Sequence, residues 1–285
     1  MKDNKVFSAV ILTAVAAIWG SAFLSMKGTL ERLDVNSFLA WRFTIATLFL
    51  IAFRPTFYRK ITKDLFIKAF AAGLVLGAGY ILQTEGLART GAAITGFITG
   101  LYVVATPLIS ALFLRKKISL FTWGCVALAT VGLALLSLRG WSMGFGEFLV
   151  LLCAVAFGAH IVALGQWSAG RDVYAMTTVQ LFAVTVLTGG FAFAEGYQAP
   201  PDSDVWAVVI FTAIICTSFG FIVQTWAQAH IDSTKVAVIL TLEIVFAALF
   251  AITLGSESMS IQVALGGIIL LIAMYLIVVK EPTND

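Results

Sequence analysis

Glu243 is the residue of this chain with the clearest potential for chemistry, because it lies in the middle of the apolar run Leu240–Phe246. In a membrane-spanning segment, a carboxylate costs about 3 kcal/mol or more, so it normally faces a cavity or a polar partner. Such a group could attract a substrate ammonium, or it could take up and release a proton. A structural hydrogen bond to a neighbouring helix is the third alternative, and the sequence leaves all three open.

A six-residue sequence that contains a glutamine occurs twice in the chain. Gly79–Thr84 recurs as Gly220–Thr225, 141 positions later, with four of the six residues identical. At a nearby offset of 138, Gly20 matches Gly158. We interpret the chain as one half followed by a diverged copy, and the long period sets it apart from a solenoid of short repeats.

The repeat pairs Glu243 with Tyr102, which lies 141 positions earlier. A phenol and a carboxylate across a central cavity would suit a zwitterionic ligand, whereas the alternative for Tyr102 is a packed ring whose hydroxyl bonds a backbone carbonyl. The two glutamines of the repeat, Gln83 and Gln224, need hydrogen-bond partners inside apolar helices. They could line two vestibules on opposite sides of the membrane, or they could only join neighbouring helices.

Arg42 is a basic residue inside the second apolar segment, and the offset of 138 pairs it with Gln180. A long cationic side chain at such a position commonly extends to the membrane surface, and pairing with Glu31 or Glu85 is a further alternative. The interpretation with most consequence for function is that Arg42 binds a substrate carboxylate, because a guanidinium forms bidentate hydrogen bonds with this group.

His160, Trp19 and Tyr80 complete the candidate binding residues. The histidine ring could sense pH or transfer a proton, or it could act only as a hydrogen-bond donor in helix packing. The two aromatic residues could line a pocket, or they could face lipid or packing partners. The predicted substrate-binding set is Glu243, Tyr102, Gln83, Gln224, Trp19, His160, Arg42 and Tyr80.

The composition of the 285 residues predicts the elements that must position these side chains. Hydrophobic residues make up 60% and charged residues 12%, and the mean hydropathy is +1.00, whereas charged residues alone are about a quarter of a soluble chain. These values indicate an all-helical polytopic membrane protein. The net charge of +3 comes from short basic clusters between apolar runs, so no nucleic-acid partner is predicted. The three cysteines show no metal-ligand spacing, and no metal or cofactor is predicted.

A helix needs about 20 apolar residues to cross the hydrocarbon core, and this length divides the chain into ten segments. Their limits are Val6–Met26, Asn36–Phe53, Phe66–Ala88, Ala92–Leu114, Leu120–Leu138, Phe145–Trp167, Val173–Glu195, Val205–Gln228, Lys235–Leu254 and Ile261–Val279. Thirteen of the eighteen Lys and Arg residues then lie on the side of the two termini, four lie on the opposite side, and Arg42 lies within a segment. The positive-inside rule therefore places both termini in the cytoplasm.

Each half of the chain holds five of these segments, and an odd number forces the second copy into the membrane upside down. We therefore predict two inverted five-helix repeats, residues 1–140 and residues 141–285, around a central cavity. The connection Arg139–Gly146 is short, which favours one fused domain over two independent ones. Inverted repeats of this kind are typical of transporters that work by alternating access.

Three further parts of the sequence carry a family resemblance: Ala17–Phe23, Thr106–Ala111 with Lys117–Ser119, and Leu242–Leu249 leading to Gly255–Ser260. In this order and spacing they resemble the drug/metabolite transporter superfamily and, within it, the EamA-type exporters with ten spans. The resemblance implies a basket of two inverted repeats around a substrate cavity, and export of amino acids or other small metabolites without ATP. Ile244 stands where similar proteins often have proline, so the ninth helix is expected to be straighter than in relatives.

The sequence thus predicts a secondary transporter that exports a small metabolite, with an amino acid as the first candidate, across the inner (plasma) membrane. The alternatives are another metabolite class, such as a nucleoside, a sugar or a drug-like amphiphile, and then a channel or a membrane-embedded enzyme. Since the sequence contains neither a ring of charges nor a catalytic motif, we predict that the protein is not an enzyme. The expected partners are the small-molecule substrate and the lipid bilayer, while proton or ion coupling and a homodimer stay open.

Overall fold

The computed structural model describes residues 2–90, 92–137, 144–253 and 261–277, and these residues form helices joined by short connections. The helices are α1 (Lys2–Leu30), α2 (Val35–Phe53), α3 (Lys63–Arg89), α4 (Ala92–Gly100), α5 (Tyr102–Leu114), α6 (Leu120–Ser137), α7 (Phe145–Trp167), α8 (Val173–Glu195), α9 (Ser203–Phe211), α10 (Gly220–Gln228), α11 (Ser233–Leu240), α12 (Leu242–Thr253) and α13 (Ile261–Tyr275). A 3-10 helix, Pro55–Lys60, follows α2, and a π-helical segment, Thr212–Phe219, joins α9 to α10.

Several predicted features lie outside the described residues. They are the boundary after residue 140, the sequence Gly255–Ser260, and the ends of the fifth, ninth and tenth segments at Leu138, Leu254 and Val279. The remaining predicted segments all fall on helices, and the bounds of the sixth and seventh segments are those of α7 and α8.

Five helical segments are long and apolar enough to cross a membrane, namely Val35–Phe53, Lys63–Arg89, Phe145–Trp167, Val173–Glu195 and Ser203–Gln228. Four shorter apolar stretches accompany them: Val6–Ala22, Ile98–Leu114, Leu120–Leu135 and Ala264–Ala273. The predicted all-helical architecture with several membrane-spanning helices is therefore confirmed for the described residues. The count of ten spans stays a prediction.

Two predicted segments are each broken into two helices, at Leu101 between α4 and α5 and at Thr241 between α11 and α12. The ninth segment is therefore interrupted although Ile244 replaces proline, and the comparison with relatives stays a prediction. The Thr241 hydroxyl donates to the Val238 carbonyl at 2.7 Å, and the Thr241 carbonyl accepts from the Ile244 N–H at 3.2 Å. Both bonds span three residues instead of four, which tightens the backbone out of the α-helical pattern. Local bonding at Thr241 thus accompanies a break that needs no proline.

Three hydrophobic clusters occur among the described residues, and two of them meet at the centre of the bundle while the third joins α3, α7 and α8. The first joins α1 to α5, α6, α11, α12 and α13, and the second joins α2, α3, α8 and α9. The rings of Trp19 and Phe157, which are 138 positions apart, pack against both clusters. Each ring lies over a glycine of the repeated sequence: a Cβ at Gly220 would lie 2.8 Å from Trp19 Nε1, and a Cβ at Gly79 would collide with the Phe157 ring. The glycines of the repeat therefore make room for these two rings.

Gly20 and Gly158 bring the first helix of each half against a broken helix of the other half. A Cβ at Gly20 would lie 2.8 Å from the backbone nitrogen of Ala247 in α12, and a Cβ at Gly158 would lie 3.2 Å from that of Thr106 in α5. The glycines are 138 positions apart and their partners 141 positions apart, so one close contact occurs twice.

The helices α2 and α8 lie side by side and run in opposite directions. At one end Asn36 Nδ2 donates to Glu195 Oε2 at 2.7 Å, and at the other end Arg54 Nη1 lies 3.4 Å from Asp172 Oδ2. The carboxylates of Asp34 and Asp172 cap the two helices by accepting a backbone N–H three residues later, each at 2.8 Å. Since Asp34 and Asp172 are also 138 positions apart, equivalent caps lie at opposite ends of the bundle.

Candidate functional site

A cavity of about 60 Å³ lies where the two hydrophobic clusters meet. All eight residues of the predicted binding set line it, and the other lining residues are Ala22, Met26, Leu76, Phe157, Ile161, Cys216, Phe221 and Leu240. A water molecule needs about 10–15 Å³ of such space, so the cavity in this conformation has room for a few waters.

Most of the lining consists of residues that the repeat relates to each other. The pairs at an offset of 138 are Trp19 with Phe157 and Ala22 with His160, and those at 141 are Tyr80 with Phe221, Gln83 with Gln224 and Tyr102 with Glu243. Five pairs account for ten of the sixteen lining residues. The two halves of the chain therefore contribute equivalent positions to one cavity.

Glu243 lies in the first turn of α12, directly after the break at Thr241. The residue is only 6% exposed, and within the described part of the chain its carboxylate forms neither an ion pair nor a hydrogen bond. The structural hydrogen bond to a neighbouring helix is therefore not formed. A carboxylate in the first turn is favoured by the positive end of the helix dipole, which partly offsets its burial.

Arg42 is the buried cation of the cavity, with 3% of its surface exposed. Its Nε donates to the Thr217 hydroxyl at 2.8 Å, Nη1 lies 3.5 Å from the sulfur of Met26, and the guanidinium lies 5.0 Å from the centre of the Tyr80 ring. Two expectations for this residue are wrong. The side chain does not extend to the surface, and its predicted partner Glu85 pairs with Arg89 instead.

The second expected partner of Arg42, Glu31, forms no ion pair among the described residues either. Nη2 of the guanidinium has no hydrogen-bond partner in the described part of the chain. Thr217 is the partner of Arg42 because of the π-helical segment. The Thr217 hydroxyl donates to the Thr212 carbonyl, five residues earlier, at 2.8 Å, and its oxygen is therefore free to accept from Arg42. Arg42 thus keeps free donor capacity next to the cavity.

Two polar atoms of the cavity residues, the Tyr102 hydroxyl and Gln224 Oε1, are buried and have no hydrogen-bond partner among the residues that the structure describes. The alternative in which the Tyr102 hydroxyl bonds a backbone carbonyl is therefore wrong. Buried polar groups are nearly always hydrogen-bonded, and an unpaired one costs about 1–3 kcal/mol. A hydroxyl and an amide oxygen that both lack a protein partner are suited to a polar ligand or to water.

The two repeated glutamines line the same cavity, so the prediction of two separate vestibules is wrong. Gln83 Nε2 donates to the Thr99 hydroxyl at 3.2 Å, which joins α3 to α4. Gln224 Nε2 donates to Gln228 Oε1 at 3.1 Å, one turn further along α10. Gln83 therefore has the helix-joining bond that the sequence left as an alternative, while Gln224 keeps its oxygen free.

His160 lies against Gln180, with 2.9 Å between Nε2 and Gln180 Oε1. Gln180 Nε2 donates to the Met176 carbonyl at 3.3 Å, so its oxygen is the acceptor and the histidine Nε2 is the donor. This is the packing bond that the sequence left as one alternative. The ring also lines the cavity.

Aromatic rings form one wall of the cavity. Trp19 Nε1 donates to the Cys216 carbonyl at 2.7 Å, a group in the π-helical segment. The ring centres of Trp19 and Phe221 are 5.5 Å apart, and those of Tyr80 and Phe157 are 5.3 Å apart. The sequence missed Phe221, although the repeat offset of 141 from Tyr80 points to it.

The groups of this cavity are of the kinds that bind polar ligands. Among the described residues it holds a buried guanidinium and a buried carboxyl group that lack ionic partners, together with an unpaired hydroxyl and an unpaired amide oxygen. No group of metal-ligating side chains occurs in the described ranges. A dipolar molecule with a carboxylate and an ammonium would satisfy the two charges at once.

A family model described as the EamA-like transporter family matches residues 7–138 and again residues 144–279. An uncharacterized transporter of Archaeoglobus fulgidus is 32% identical over 96% of this chain and 86% of its own length. A probable terminal-alkyne amino-acid exporter of Streptantibioticus cattleyicolor is 25% identical over 81% of this chain and 79% of its own. A solved crystal structure has the same fold, with a TM-score of 0.79 at 15% identity, over 95% of this chain and 96% of that one.

Proposed function

Because the chain belongs to the EamA-like transporter family and is a multi-pass membrane transporter, we propose that it exports a small zwitterionic metabolite, with an amino acid as the first candidate. The observation that carries the proposal is that Arg42 and Glu243 line the same cavity. Both are buried, and neither has an ionic partner among the described residues. The relative from Streptantibioticus cattleyicolor, named as an amino-acid exporter, supports the same class of substrate.

The proposed binding mode gives each polar group a part of an amino acid. Nη2 of Arg42 donates to the substrate carboxylate, and such charge-assisted bonds are about twice as strong as neutral ones. The ammonium lies between the Glu243 carboxylate and Gln224 Oε1, which both accept its hydrogen bonds. The Tyr102 hydroxyl completes the polar contacts, and the rings of Trp19 and Tyr80 contact the side chain of the substrate. Gln83 and His160 hold the surrounding helices in place through Thr99 and Gln180.

Transport in this proposal requires the helices around the cavity to separate. The cavity of about 60 Å³ is far smaller than the roughly 300–1,000 Å³ of ligand pockets. The helix breaks at Leu101 and Thr241 directly precede Tyr102 and Glu243, and discontinuous helices next to the substrate are a recurrent feature of secondary transporters. We assign the hinges of the motion to these two breaks.

We further propose ten spans in two inverted repeats, residues 1–140 and 141–285, in the inner (plasma) membrane with both termini in the cytoplasm. The opposite directions of α2 and α8 support inversion, since these helices are repeat equivalents. The distribution of basic residues supports the orientation. Glu243 is the group through which proton coupling would act. Its carboxyl group can carry a proton in one half of the transport cycle and contact the substrate in the other half. A homodimer stays a prediction.

Counterflow in proteoliposomes tests the function. Vesicles loaded with an unlabelled amino acid are expected to accumulate the labelled compound, and the N-acetyl and amide derivatives, which lack one charge each, are expected to fail. Stimulation by nucleosides, sugars or lipophilic amines instead of amino acids would contradict the proposed substrate class and favour another metabolite exporter. A thermal-shift screen of the same compounds gives an independent reading, because a ligand that binds only the folded protein raises its apparent stability.

A further inference from the structure

Among the described residues four ion pairs join the two halves of the chain, and two of these pairs lie at equivalent places at opposite ends of the bundle. Arg171 lies in the connection between α7 and α8, and its Nε and Nη2 lie 3.0 Å and 2.6 Å from Oδ2 of Asp64 in the first turn of α3. Arg32 lies in the connection between α1 and α2, and its Nη2 pairs with Oδ2 of Asp202, the N-cap residue of α9. We name them the inner pair (Arg171 and Asp64) and the outer pair (Arg32 and Asp202), after their predicted sides of the membrane.

The two pairs occupy equivalent positions of the repeat. Asp64 and Asp202 are 138 positions apart, and Arg32 and Arg171 are 139 positions apart. In both pairs, an arginine just after the first span of one half meets an aspartate at the start of the third span of the other half. The duplicated chain has therefore kept the same contact twice, once at each end.

The antiparallel helices α2 and α8 fix the separation of the two pairs. Arg32 precedes the start of α2, next to the Asn36 contact with Glu195, whereas Arg171 precedes the start of α8, next to the Arg54 contact with Asp172. These helices have 19 and 23 residues, so about 30 Å separates the two ends at 1.5 Å per residue. Between the ends lies the cavity, to which α2 contributes Arg42.

We propose that the outer and inner pairs are equivalent gates, one of which opens while the other stays closed. This inference rests on the alternating access proposed above. Each pair crosses from one half to the other, so the halves cannot separate at that end without breaking it. Both pairs are formed in this structure, in accord with a cavity that has room for only a few waters.

The strength of the pairs suits contacts that must break in every cycle. The side chains of the outer pair are 47% and 33% exposed, and those of the inner pair are 23% and 55% exposed. Loss of one exposed pair changes an equilibrium by about two- to fivefold. The inner end is also joined by two further pairs, Arg54 with Asp172 and Lys116 with Asp232, so loss of the inner pair is expected to have the smaller effect of the two.

Cys216 is a native reporter of gate opening, because it is buried and lines the cavity. The parent protein carries Cys125→Ala and Cys153→Ala, which leaves Cys216 as its single thiol, and it must retain counterflow. Labelling with a membrane-impermeant maleimide is then measured from the outside in intact cells and from the inside in inverted vesicles. The variant Asp202→Asn keeps a good N-cap residue and removes the charge. Asp64→Asn removes the charge of the inner pair, and Thr62 remains the N-cap residue of α3.

Asp202→Asn is expected to raise labelling from the outside about two- to fivefold without raising it from the inside, and Asp64→Asn to do the reverse with a smaller factor. The matched control is Glu85→Gln, which removes a charged partner of Arg89 within one helix and leaves both gates intact. The double variant Arg32→Asp with Asp202→Arg is expected to return labelling toward that of the parent, which shows that charge pairing and not misfolding is responsible.

Two results would overturn the gates, and they differ in what they say about transport. If Cys216 is labelled and counterflow persists, but Asp202→Asn and Asp64→Asn label like the parent, the gates are wrong and the transport proposal stands. If Cys216 resists the reagent from both sides in every variant and counterflow is absent, the gates and alternating access are both wrong.

Discussion

The substitution Arg42→Gln separates a substrate-binding role of the guanidinium from a structural one. In the structure Arg42 donates Nε to the Thr217 hydroxyl and leaves Nη2 without a protein partner in the described residues. A hydrogen bond to a charged group contributes about 1.5–3 kcal/mol. If Nη2 binds the substrate carboxylate, we expect the variant to bind an amino acid about 10- to 150-fold more weakly.

The stability of the protein is expected to change much less than its affinity. An ion buried without a partner costs several kcal/mol, and the substitution removes this cost. It also removes the Thr217 hydrogen bond, about 1.5–3 kcal/mol, and the contact of the guanidinium with the Tyr80 ring, about 0.5–2 kcal/mol. Since these contributions oppose each other and have similar size, the melting temperature of the empty transporter should stay close to that of the wild type.

The assay is a thermal-shift titration of purified protein with the amino acid that gives the strongest counterflow. The amide of the same amino acid, which has no carboxylate, should bind the wild type and Arg42→Gln with similar affinity. Arg89→Gln is the matched control, because Arg89 pairs with Glu85 on the same helix and does not line the cavity. Equal affinity of the amino acid for wild type and Arg42→Gln, with both folded, would refute the carboxylate contact.

The other predictions concern the remaining cavity groups and the close contact of α1 with α12. Tyr102→Phe removes a hydroxyl without a protein partner, so folding should be unchanged while titration shows affinity about 2- to 12-fold lower; unchanged affinity would exclude a ligand contact. Gly20→Ala places a Cβ against the α12 backbone and should lower the free energy of unfolding by about 1–3 kcal/mol, whereas Gly28→Ala, with open space around it, should not; equal stability of the two would contradict this packing. Glu243→Gln keeps the shape and removes the titratable group, so counterflow should lose its pH dependence, and a retained profile would assign the proton to another residue. The losses of binding free energy from Arg42→Gln and Glu243→Gln should add in the double variant, because the two groups contact opposite ends of the substrate. If the double variant binds the substrate as tightly as either single variant, the two side chains interact with each other instead.

The helices and the membership of the cavity could be predicted from the sequence for physical reasons. Apolar runs that end at polar caps fix where helices begin, as the Asp172 cap shows for α8. The cost of a buried carboxylate marked Glu243, and the repeat then pointed to Tyr102, because a duplicated chain places equivalent residues at equivalent depths. Phe221 could have been found by the same step from Tyr80, since the two are also 141 positions apart.

The partners of the site residues could not be predicted, because they depend on where helices cross. Position along a helix gave the depth of Gln83 and Gln224 but not the facing side chains, and the rings over Gly79 and Gly220 bring both halves to one cavity. The π-helical segment is a second reason. In this segment hydrogen bonds join residues five apart instead of four, and this spacing directs the Thr217 hydroxyl toward Arg42. No apolar pattern in the sequence predicts this change.

The divergence of the two halves has a physical explanation in the ligand that the cavity would hold. A strictly symmetric cavity would place two like charges at equivalent positions, and two unpaired buried charges of one sign repel each other as well as losing their hydration. Here the first half supplies the guanidinium of Arg42, whose equivalent is Gln180, and the second half supplies the carboxyl group of Glu243, whose equivalent is Tyr102. An amino acid has no symmetry between its two ends, so it requires this division. The repeat has kept the shape of the site twice, while each charge occurs once.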